Sequence, residues 1–420
     1  MRQYLCIDLK SFYASVECVE RGLDPMQARL VVADPERCHT TICLAVSPEM
    51  KRLGVKNRCR VFEIPPHIDY IMATPRMQLY IDYSCRIYRV YLEFIAPEDI
   101  HVYSVDEAFL DVTCYLALYR MTPRELAERI RRRILEVTGI PATCGIGTNL
   151  YLAKIALDIT AKKSPDFMGE LDEERYCRTL WDHLPLTDFW RIGPGTARRL
   201  ARVGAYTMGQ VALLPEKTLY KLFGIDAEIL IDHAWGREPV TMADIKRYKS
   251  KSRSLSTGQV LARGYSWEEG LIIAKEMADQ LCLSLAEQHL TTTSLNLRIC
   301  YEKDRDLPVH GSSRLHLATC ANTMIVPRIA DIYRAIVNPE LEVRRLMIAF
   351  GDVEPDAAVQ LSMLADDAAS LRDRDLMHAV NDLKHRFGRN AVLKGMDFQQ
   401  GATTIARNGQ IGGHRRGEPG

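Results

Sequence analysis

The chain has 420 residues, for which the usual domain size predicts about three domains. Hydrophobic residues make up 47% and charged residues 26%, which is typical of globular proteins and excludes a largely disordered chain. The 55 basic and 54 acidic residues give a net charge of +1, so the overall charge neither indicates nor excludes a nucleic-acid partner.

Membrane insertion and disulfide stabilisation are also disfavoured. The longest uncharged stretch, residues 137–153, is interrupted by glycine and proline and makes a poor membrane span. Arg2, Asp8 and Lys10 near the N-terminus argue against a signal peptide. The 12 cysteines contain no Cys-x-x-Cys pair, which favours reduced thiols over a zinc site or a disulfide framework. We therefore expect a cytoplasmic protein with no membrane partner.

Residues 1–165 alternate between strand and helix patterns. In chain order, the spacing of apolar residues predicts strands at 4–9, 30–33, 41–45, 102–112 and 143–147, and helices at 11–20, 48–53, 80–96, 122–137 and about 149–161. Ser11 is the expected cap of the first helix, and Thr122 begins a capping box. This alternation indicates an α/β or α+β domain.

The remaining chain has two further patterns. Residues 182–236 predict short helices separated by glycine and proline. Residues 250–351 predict a β-α-β-β-α-β order, with strands near 252–261, 295–301, 315–317 and 346–350 and helices at 266–289 and 324–337. A helix is expected at 371–387, and the Gly/Arg-rich end at 412–420 is expected to be disordered.

The clearest chemical signal is a set of carboxylates inside apolar segments. Asp8 ends the first strand, and Asp106 and Glu107 lie within residues 103–111. Adjacent strand residues point to opposite faces, so Asp106 and Glu107 converge only at a strand end, bulge or turn. If the first strand pairs with this segment, the three carboxylates form an oxygen cage suited to two Mg²⁺ ions. An acid pair at a strand end in water is the alternative.

Two motifs resemble those of the Y-family DNA polymerases, the UmuC/DinB group. They are Asp8-x-x-x-Phe12-Tyr13-Ala-Ser-Val-Glu17 and Ser104-Val-Asp-Glu-Ala-Phe-Leu-Asp111, and the similarity, of a UvrX-like kind, continues to residue 410. The resemblance implies that Asp8, Asp106 and Glu107 are catalytic. It also implies that they bind two Mg²⁺ ions together with the Leu9 carbonyl.

The resemblance further implies nucleotide contacts by Phe12, Tyr13, Ser47, Lys51 and Lys162. Tyr13 matches the steric gate, whose ring fills the space that a ribose 2′-hydroxyl would need. Two core aromatic residues at a helix start are the alternative reading of Phe12 and Tyr13.

The triphosphate-contacting segments depart from the family pattern. Pro48 and Lys51 stand where family members commonly have Tyr and Arg, and a lysine gives a point charge instead of a bidentate fork. One extra residue precedes Lys162 and Lys163, which makes the two hard to tell apart. A surface ion pair between Asp158 and Lys162 is the alternative, because the two are four residues apart.

Two segments resemble DNA-gripping parts of the family. Residues 190–204 resemble a helix-hairpin-helix, in which Gly193 and Gly195 let backbone amides approach phosphates and Arg198 adds charge. Lys249, Lys251 and Arg253 lie in a basic stretch that resembles the outer strand of the little finger, which runs along template phosphate. A plain helical hairpin and a solvated basic face are the alternatives.

A further motif points to a protein partner. Gln360, Leu361, Met363 and Leu364 resemble the sliding-clamp-binding pentapeptide, with Met363 and Leu364 in place of the more usual Leu and Phe. An ordinary amphipathic segment is the alternative. The expected partners are primer–template DNA, deoxynucleoside triphosphates and the replication sliding clamp, and the expected location is the nucleoid.

The resemblance implies an α+β multidomain fold. The expected domains are a palm (mixed sheet with helices) at 1–17 and 72–165, small fingers at 18–71, an all-α thumb with the helix-hairpin-helix at 166–240, a β-α-β-β-α-β little finger at 246–352 and a C-terminal tail at 353–420. The implied function is template-directed, low-fidelity DNA synthesis past damaged bases. A nucleotidyl cyclase and a catalytically inactive DNA- or clamp-binding accessory protein are the alternatives.

Overall fold

The computed structural model describes residues 2–36, 41–250, 252–302, 307–356 and 367–417. The chain divides into two compact units, Met1–Lys249 and Ser250–Arg416. Among the described residues, none of the helices combines the length and apolar character that a membrane crossing requires. The cysteines that the structure describes are all free thiols.

The first unit contains eight strands and twelve α-helices within its described residues. The strands are β1 (Tyr4–Leu9), β2 (Leu30–Val32), β3 (Ala45–Val46), β4 (Ile71–Ala73), β5 (Ile100–Val102), β6 (Glu107–Asp111), β7 (Ala142–Gly147) and β8 (Met168–Leu171). The helices are α1 (Phe12–Val19), α2 (Pro48–Arg52), α3 (Met77–Leu92), α4 (Tyr115–Tyr119), α5 (Pro123–Thr138), α6 (Leu150–Ile155), α7 (Glu173–Leu180), α8 (Pro194–Ala201), α9 (Met208–Leu213), α10 (Glu216–Phe223), α11 (Ala227–Ala234) and α12 (Met242–Arg247).

A five-stranded sheet forms the centre of this unit, with the order β5-β6-β1-β7-β8. Strand β1 is antiparallel to both β6 and β7, and β8 runs parallel to β7. Every residue of β1 except Asp8 is buried, as expected for an apolar strand at the middle of a sheet. The predicted thumb begins at residue 166, but Met168–Leu171 belongs to this sheet, because β8 pairs with β7.

A smaller sheet with the order β3-β2-β4 begins in the predicted fingers, but its strand β4 runs past their predicted end at residue 71, because Met72 and Ala73 pair with β2. The predicted strand at 41–45 is wrong, since only Ala45 and Val46 form strand β3. Ile42 instead makes an isolated bridge to Arg60, and the Cys43 amide donates to the Cys59 carbonyl at 2.7 Å. The apolar residues of 41–45 therefore pair in part with the segment near residue 60.

Short helices follow β8. Helices α7 to α11 surround a buried cluster that includes Tyr176, Phe189, Leu200 and Leu230. This arrangement confirms the predicted run of short helices between glycine and proline residues. The Ser11 prediction is wrong: Ser11 precedes α1, but its side chain makes no capping hydrogen bond and its backbone is left-handed (φ 47°).

The second unit contains the predicted β-α-β-β-α-β order. Its elements are β9 (Leu255–Tyr265), α13 (Trp267–Glu287), β10 (Leu290–Tyr301), β11 (Val309–Thr319), α14 (Asn322–Ile336), β12 (Val343–Gly351), β13 (Glu354–Pro355), α15 (Asp367–Phe387), α16 (Thr404–Asn408), β14 (Gln410–Ile411) and β15 (His414–Arg415). The sheet order β11-β10-β12-β9 is antiparallel throughout. Helices α13 and α14 cover one face, where Leu295, Leu297 and Ile299 are buried.

The C-terminal segment folds back onto α13. Glu276 on α13 is 1% exposed, and its carboxylate accepts hydrogen bonds from the Thr403 amide at 2.9 Å and the Thr404 amide at 3.1 Å. A buried carboxylate requires such donors, because an unpaired charge is costly to bury. The segment that provides these donors is therefore part of the second unit.

The expectation of disorder at 412–420 is wrong for residues 412–417. Strands β14 and β15 form a hairpin whose two turn residues, Gly412 and Gly413, have φ values of 60° and 82°. A two-residue hairpin turn of type I′ needs positive φ at both central positions, which glycine adopts without steric cost. The Gly-Gly pair is thus a turn signal, whereas the composition alone indicated disorder.

Candidate active site

The backbone brings the three predicted acidic residues together. Asp8 near the end of β1 is the direct partner of Glu107 at the start of β6, and the Leu9 amide donates to the Asp106 carbonyl at 2.9 Å. Asp106 lies in a bend just before β6. The strict alternation of a strand therefore does not separate Asp106 from Glu107, and the predicted convergence at a strand end is confirmed at the level of the backbone.

The side chains of two of these residues are held by neighbours. The Glu107 carboxylate accepts from the Lys154 ammonium at 2.8 Å and from the Cys6 thiol at 3.2 Å, and Asp106 accepts from the Ser104 hydroxyl at 2.5 Å. Within the described residues, no group of three or more His, Cys, Asp or Glu side chains is gathered closely enough to hold a metal ion. The predicted oxygen cage is therefore not assembled here, although the backbones that carry it converge.

The electrostatics at Asp8 nevertheless fit a cation. Burial, followed by the charges of Asp106 and Glu107, raises the pKa of Asp8 to about 7. The repulsion that Asp8 feels from the Asp106 and Glu107 carboxyl groups is relieved by a bound cation as well as by a proton. Carboxylate oxygens are the donors that hard divalent ions such as Mg²⁺ prefer. Both the donor set and the charge thus suit a divalent metal ion.

Lys154 is a site residue that the sequence interpretation missed. It lies on α6, is 7% exposed, and pairs with Asp158 at 3.1 Å as well as with Glu107. Asp158 in turn pairs with Lys162 at 3.0 Å, so the predicted alternative of an Asp158–Lys162 ion pair is present. The spacing of four residues between Lys154, Asp158 and Lys162 was a signal for this chain of charges.

Two glycines allow α6 to approach the sheet closely enough to place Lys154. A Cβ atom on Gly147 would lie 2.1 Å from the Ala153 amide nitrogen, and one on Gly145 would lie 2.1 Å from the Ala153 carbonyl oxygen. Any larger residue at either position would push the helix away from β7. Asn149 caps α6 by accepting from the Leu152 amide at 2.8 Å, which fixes where the helix begins.

The additional residue before Lys162 has a structural counterpart. Helix α6 continues as a π-helical turn at Ala156–Thr160 and then as a 3₁₀ turn at Ala161–Lys163. A π turn accommodates one extra residue in a helix and occurs frequently at functional sites. Asp158 lies inside this turn, and Lys162 is exposed just beyond it.

Tyr13 is held by a buried set of contacts, whereas Phe12 is a core residue. Phe12 is 3% exposed, and the Tyr13 ring stacks on Tyr80 with centroids 4.4 Å apart. The Tyr80 hydroxyl donates to Glu17 at 2.8 Å, and Arg76 donates to the same carboxylate at 2.8 Å and 3.0 Å. The stacked ring therefore keeps Tyr13 in a fixed position close to the acidic residues.

Ser47 and Lys51, the two predicted nucleotide contacts in the fingers segment, differ in how accessible their side chains are to a nucleotide. Ser47 is fully buried, caps α2, accepts from the Leu30 amide and donates to the Ala28 carbonyl at 2.7 Å. These contacts give the Ser47 side chain a structural role, and we exclude it from the proposed nucleotide contacts. Lys51 is exposed on α2 and lies within electrostatic reach of Asp8 and Lys162.

The glycines of the predicted helix-hairpin-helix lie at the start of α8. Gly193 is the N-cap residue, Gly195 lies in the first turn, and Arg198 is exposed on the same helix. A Cβ atom at either glycine would meet nothing within 4 Å, and neither glycine has a positive φ. Packing and backbone conformation therefore do not explain these glycines.

The predicted basic outer strand begins later than expected. Strand β9 starts at Leu255, so Lys249 and Arg253 lie in the connection that precedes it, and both are exposed. Arg253 pairs with Glu354 at 3.3 Å. Lys251 lies outside the described residues, as do Gln360, Leu361, Met363 and Leu364.

Basic residues on the second sheet were missed. Arg298 on β10 and Arg345 on β12 are both exposed, and the register places both on the face opposite the buried Leu297. Arg298 also lies beside His310 of β11. The alternation that revealed Leu295, Leu297 and Ile299 also marks the residues between them as the open face.

Comparisons with known proteins show which family the chain belongs to. Residues 7–158 match the impB/mucB/samB family, and residues 252–363 match the C-terminal domain of that family. DNA polymerase IV of Moorella thermoacetica is 34% identical over 414 residues, which cover 94% of this chain and 96% of that protein. The chain belongs to this family, the Y-family DNA polymerases.

Other similar proteins extend the likeness to the whole chain. The putative UV-damage repair protein UvrX of Bacillus subtilis is 29% identical over 418 residues, covering 99% of this chain and 98% of that protein. A solved Y-family DNA polymerase chimera of Dbh and Dpo4 has a TM-score of 0.64 at 22% identity and covers 84% of this chain. The latter likeness supports the fold, an α+β arrangement of palm, fingers, thumb and little finger.

Proposed function

We propose that this Y-family chain is a DNA-directed DNA polymerase that copies damaged templates at low fidelity. The observation that carries the proposal is the convergence of Asp8, Asp106 and Glu107 at adjacent strand ends of the central sheet. Its relatives are named DNA polymerase IV and putative UV-damage repair protein, which supports both the reaction and the substrate. The polymerase would work at the nucleoid in the cytoplasm.

The proposed domains are those of the sequence analysis, with the palm extended by β8. The palm at 1–17 and 72–165 would gain Met168–Leu171, which pairs with β7. The fingers at 18–71, the thumb up to residue 240, the little finger at 246–352 and the tail at 353–420 remain proposals. The break between the compact units falls at Lys249 and Ser250, close to the proposed start of the little finger.

The carboxylates and their neighbours have separate roles in the proposed reaction. Asp8, Asp106, Glu107 and the Leu9 carbonyl would hold two Mg²⁺ ions, which lower the pKa of a 3′-hydroxyl and neutralise the triphosphate when bound. Lys154 orients Glu107, with Asp158 fixing the ammonium from the other side. Lys51 and Lys162 would bind phosphate oxygens of the incoming nucleotide. Lys162, which pairs with Asp158 at 3.0 Å, would have to leave that partner to do so.

Primer extension tests the proposed reaction. The double variant Asp106→Ala, Glu107→Ala is expected to extend a primer at less than about one-thousandth of the wild-type rate, because it loses most of the charge that holds the metal ions. The matched control, Glu128→Ala with Glu136→Ala, removes two carboxylates that are more than half exposed and should keep wild-type activity.

Other outcomes of this assay favour the alternatives. A wild-type protein that binds primer–template but does not extend it would favour the accessory protein. Release of pyrophosphate without primer extension would favour the cyclase.

Tyr13 is the proposed filter against ribonucleotides. Its ring is held by Tyr80, which Glu17 holds in turn, so a 2′-hydroxyl would meet a ring that cannot easily move aside. A clash that is built against a competing substrate produces selectivity without improving the binding of the correct one.

We expect Tyr13→Ala to raise the relative efficiency of ribonucleotide insertion by at least about tenfold, or about 1.4 kcal/mol of lost discrimination. Insertion kinetics of paired ribo- and deoxynucleotides measure this ratio. Tyr206→Ala, at a residue that is 55% exposed, is the control. An unchanged ratio in Tyr13→Ala would remove Tyr13 from this role.

Two surfaces are proposed to hold DNA through its phosphates. At the thumb, the open space around Gly193 and Gly195 supports the approach of phosphates to the start of α8, with Arg198 nearby. Around the break between the two units, Lys249, Lys251 and Arg253 would contact phosphates, and in the second unit the open face of the sheet would add Arg298 and Arg345. Contacts to phosphate hold DNA without reading its sequence, as copying any template requires.

The salt dependence of DNA binding tests the sheet face. Changing Arg298 and Arg345 to glutamine should reduce the slope of log Kd against log salt by about two units, because each phosphate contact contributes about 0.9. The control variant is Arg334→Gln. The native Arg334 lies on α14 and pairs with Asp331. An unaltered slope in the double variant would exclude the sheet face.

The sliding clamp is the proposed protein partner. The proposal rests on Gln360, Leu361, Met363 and Leu364, which match the clamp-binding pentapeptide in part and lie outside the described residues. Leu361→Ala with Leu364→Ala should abolish retention on immobilised clamp, since apolar anchors dominate such contacts. Leu376→Ala, at an exposed leucine on α15, is the control, and equal retention of all forms would count against the motif.

A further inference from the structure

An unassigned lysine lies between two proposed site residues. Lys10 follows β1, between Asp8 and Tyr13, and its amide donates to the Pro141 carbonyl at 2.9 Å. Its ammonium lies 3.1 Å from the centre of the Phe167 ring. The Lys10 side chain is therefore held beside the end of β1 that carries Asp8.

Lys10 belongs to a cluster of positive charges. Arg131, Lys51 and Lys162 all lie within electrostatic reach of its ammonium, as does the carboxylate of Asp8. These cations come from different parts of the chain: Lys51 from α2, Arg131 from α5, and Lys162 from the turn after α6. The fold thus gathers positive charge around one position beside Asp8.

The cluster has few negative partners of its own. Within the described ranges, neither Lys10 nor Lys51 makes an ion pair, while Asp158 is shared between Lys154 and Lys162. Like charges held close together repel one another unless an anion offsets them. A polyanion is therefore the ligand class that fits this surface.

Phe167 explains how Lys10 is kept available. Phe167 has a left-handed backbone (φ 58°), which is uncommon for a residue of this size, and the Cys144 amide anchors its carbonyl at 3.0 Å. A cation over an aromatic face is attracted electrostatically by the ring. The contact positions the ammonium without a carboxylate that would compete with phosphate.

We propose that Lys10 is a further binding residue for the incoming nucleotide, with its ammonium contacting the phosphates beside Lys51 and Lys162. The inference deepens the proposed polymerase function and depends on it. Phosphate could come from the nucleotide or from the DNA backbone. The position next to Asp8, where the reacting phosphate must lie, favours the nucleotide.

Extension kinetics with full-length protein test the role of Lys10. For Lys10→Met, we expect the KM for deoxynucleoside triphosphate to rise about tenfold, which corresponds to about 1.4 kcal/mol. The kcat should stay within about threefold and the Kd for primer–template within about twofold. Lys10→Arg should restore most of the affinity, and Lys217→Met on α10 is the charge-matched control with unchanged KM.

A second measurement does not depend on chemistry. Titration of the protein with inorganic tripolyphosphate should show weaker binding to Lys10→Met than to wild type by a similar factor. An unchanged KM together with unchanged tripolyphosphate binding would overturn the proposal. A raised Kd for DNA with an unchanged KM would place Lys10 on the DNA backbone and overturn it as well.

The two proposals fail in different ways. A wild-type protein that extends primers while Lys10→Met behaves identically refutes only the role of Lys10. A wild-type protein that extends no primer refutes the polymerase function and with it the nucleotide as the ligand of Lys10. A fall in kcat alone would mean that Lys10 acts through Asp8 and would overturn its assignment as a binding residue.

Discussion

The antiparallel pairing of β1 with β6 is the constraint on which the site depends. It places Asp8 directly opposite Glu107, although 98 residues of chain lie between them, and the Leu9–Asp106 hydrogen bond fixes the bend that precedes β6. A shift of one residue in this pairing would turn the acidic side chains to the other face. The buried apolar residues of β1 oppose such a shift, because they would lose their contacts in the core.

Buried charges around this pairing are satisfied in an ordered way. Glu107 has Lys154, and Glu17 has Arg76 and Tyr80, so each of these two carboxylates near the site has a cation as a partner. Breaking a buried pair by removing one partner leaves an uncompensated charge and is more costly than losing a surface pair. These pairs therefore hold the site residues in place. Because Glu17 holds Tyr80 and the Tyr13 ring stacks on Tyr80, the same contacts also position Tyr13.

The second unit also contains a buried carboxylate whose charge is satisfied by donors from a distant segment. Its C-terminal segment returns to donate two amides to Glu276 on α13, and the Gly412–Gly413 turn forms a small hairpin at its end. The helices cover one face of the sheet, which leaves Arg298 and Arg345 on the other. One face is thus committed to the core while the opposite face carries charge that is free to meet a polyanion.

Much of the fold followed from local patterns in the sequence. Apolar periodicity predicted β1, α5, α13 and the β-α-β-β-α-β order, because the periods of helix and strand are properties of neighbouring residues. The same logic failed at 41–45, where pairing with residues near Cys59 replaced a regular strand. It also failed at 412–417, where composition outweighed the Gly-Gly turn signal.

The candidate site was likewise predictable from the sequence only in part. The sequence by itself determined which residues could carry the chemistry, since Asp8, Asp106 and Glu107 stand out as charges in apolar segments. Only the tertiary structure decided that the Ser47 hydroxyl caps α2, that the Lys154 ammonium pairs with Glu107, and that the Lys10 ammonium lies over the Phe167 ring. Those contacts join residues far apart in the chain, and their distances depend on how helices seat against the sheet, which no local period encodes.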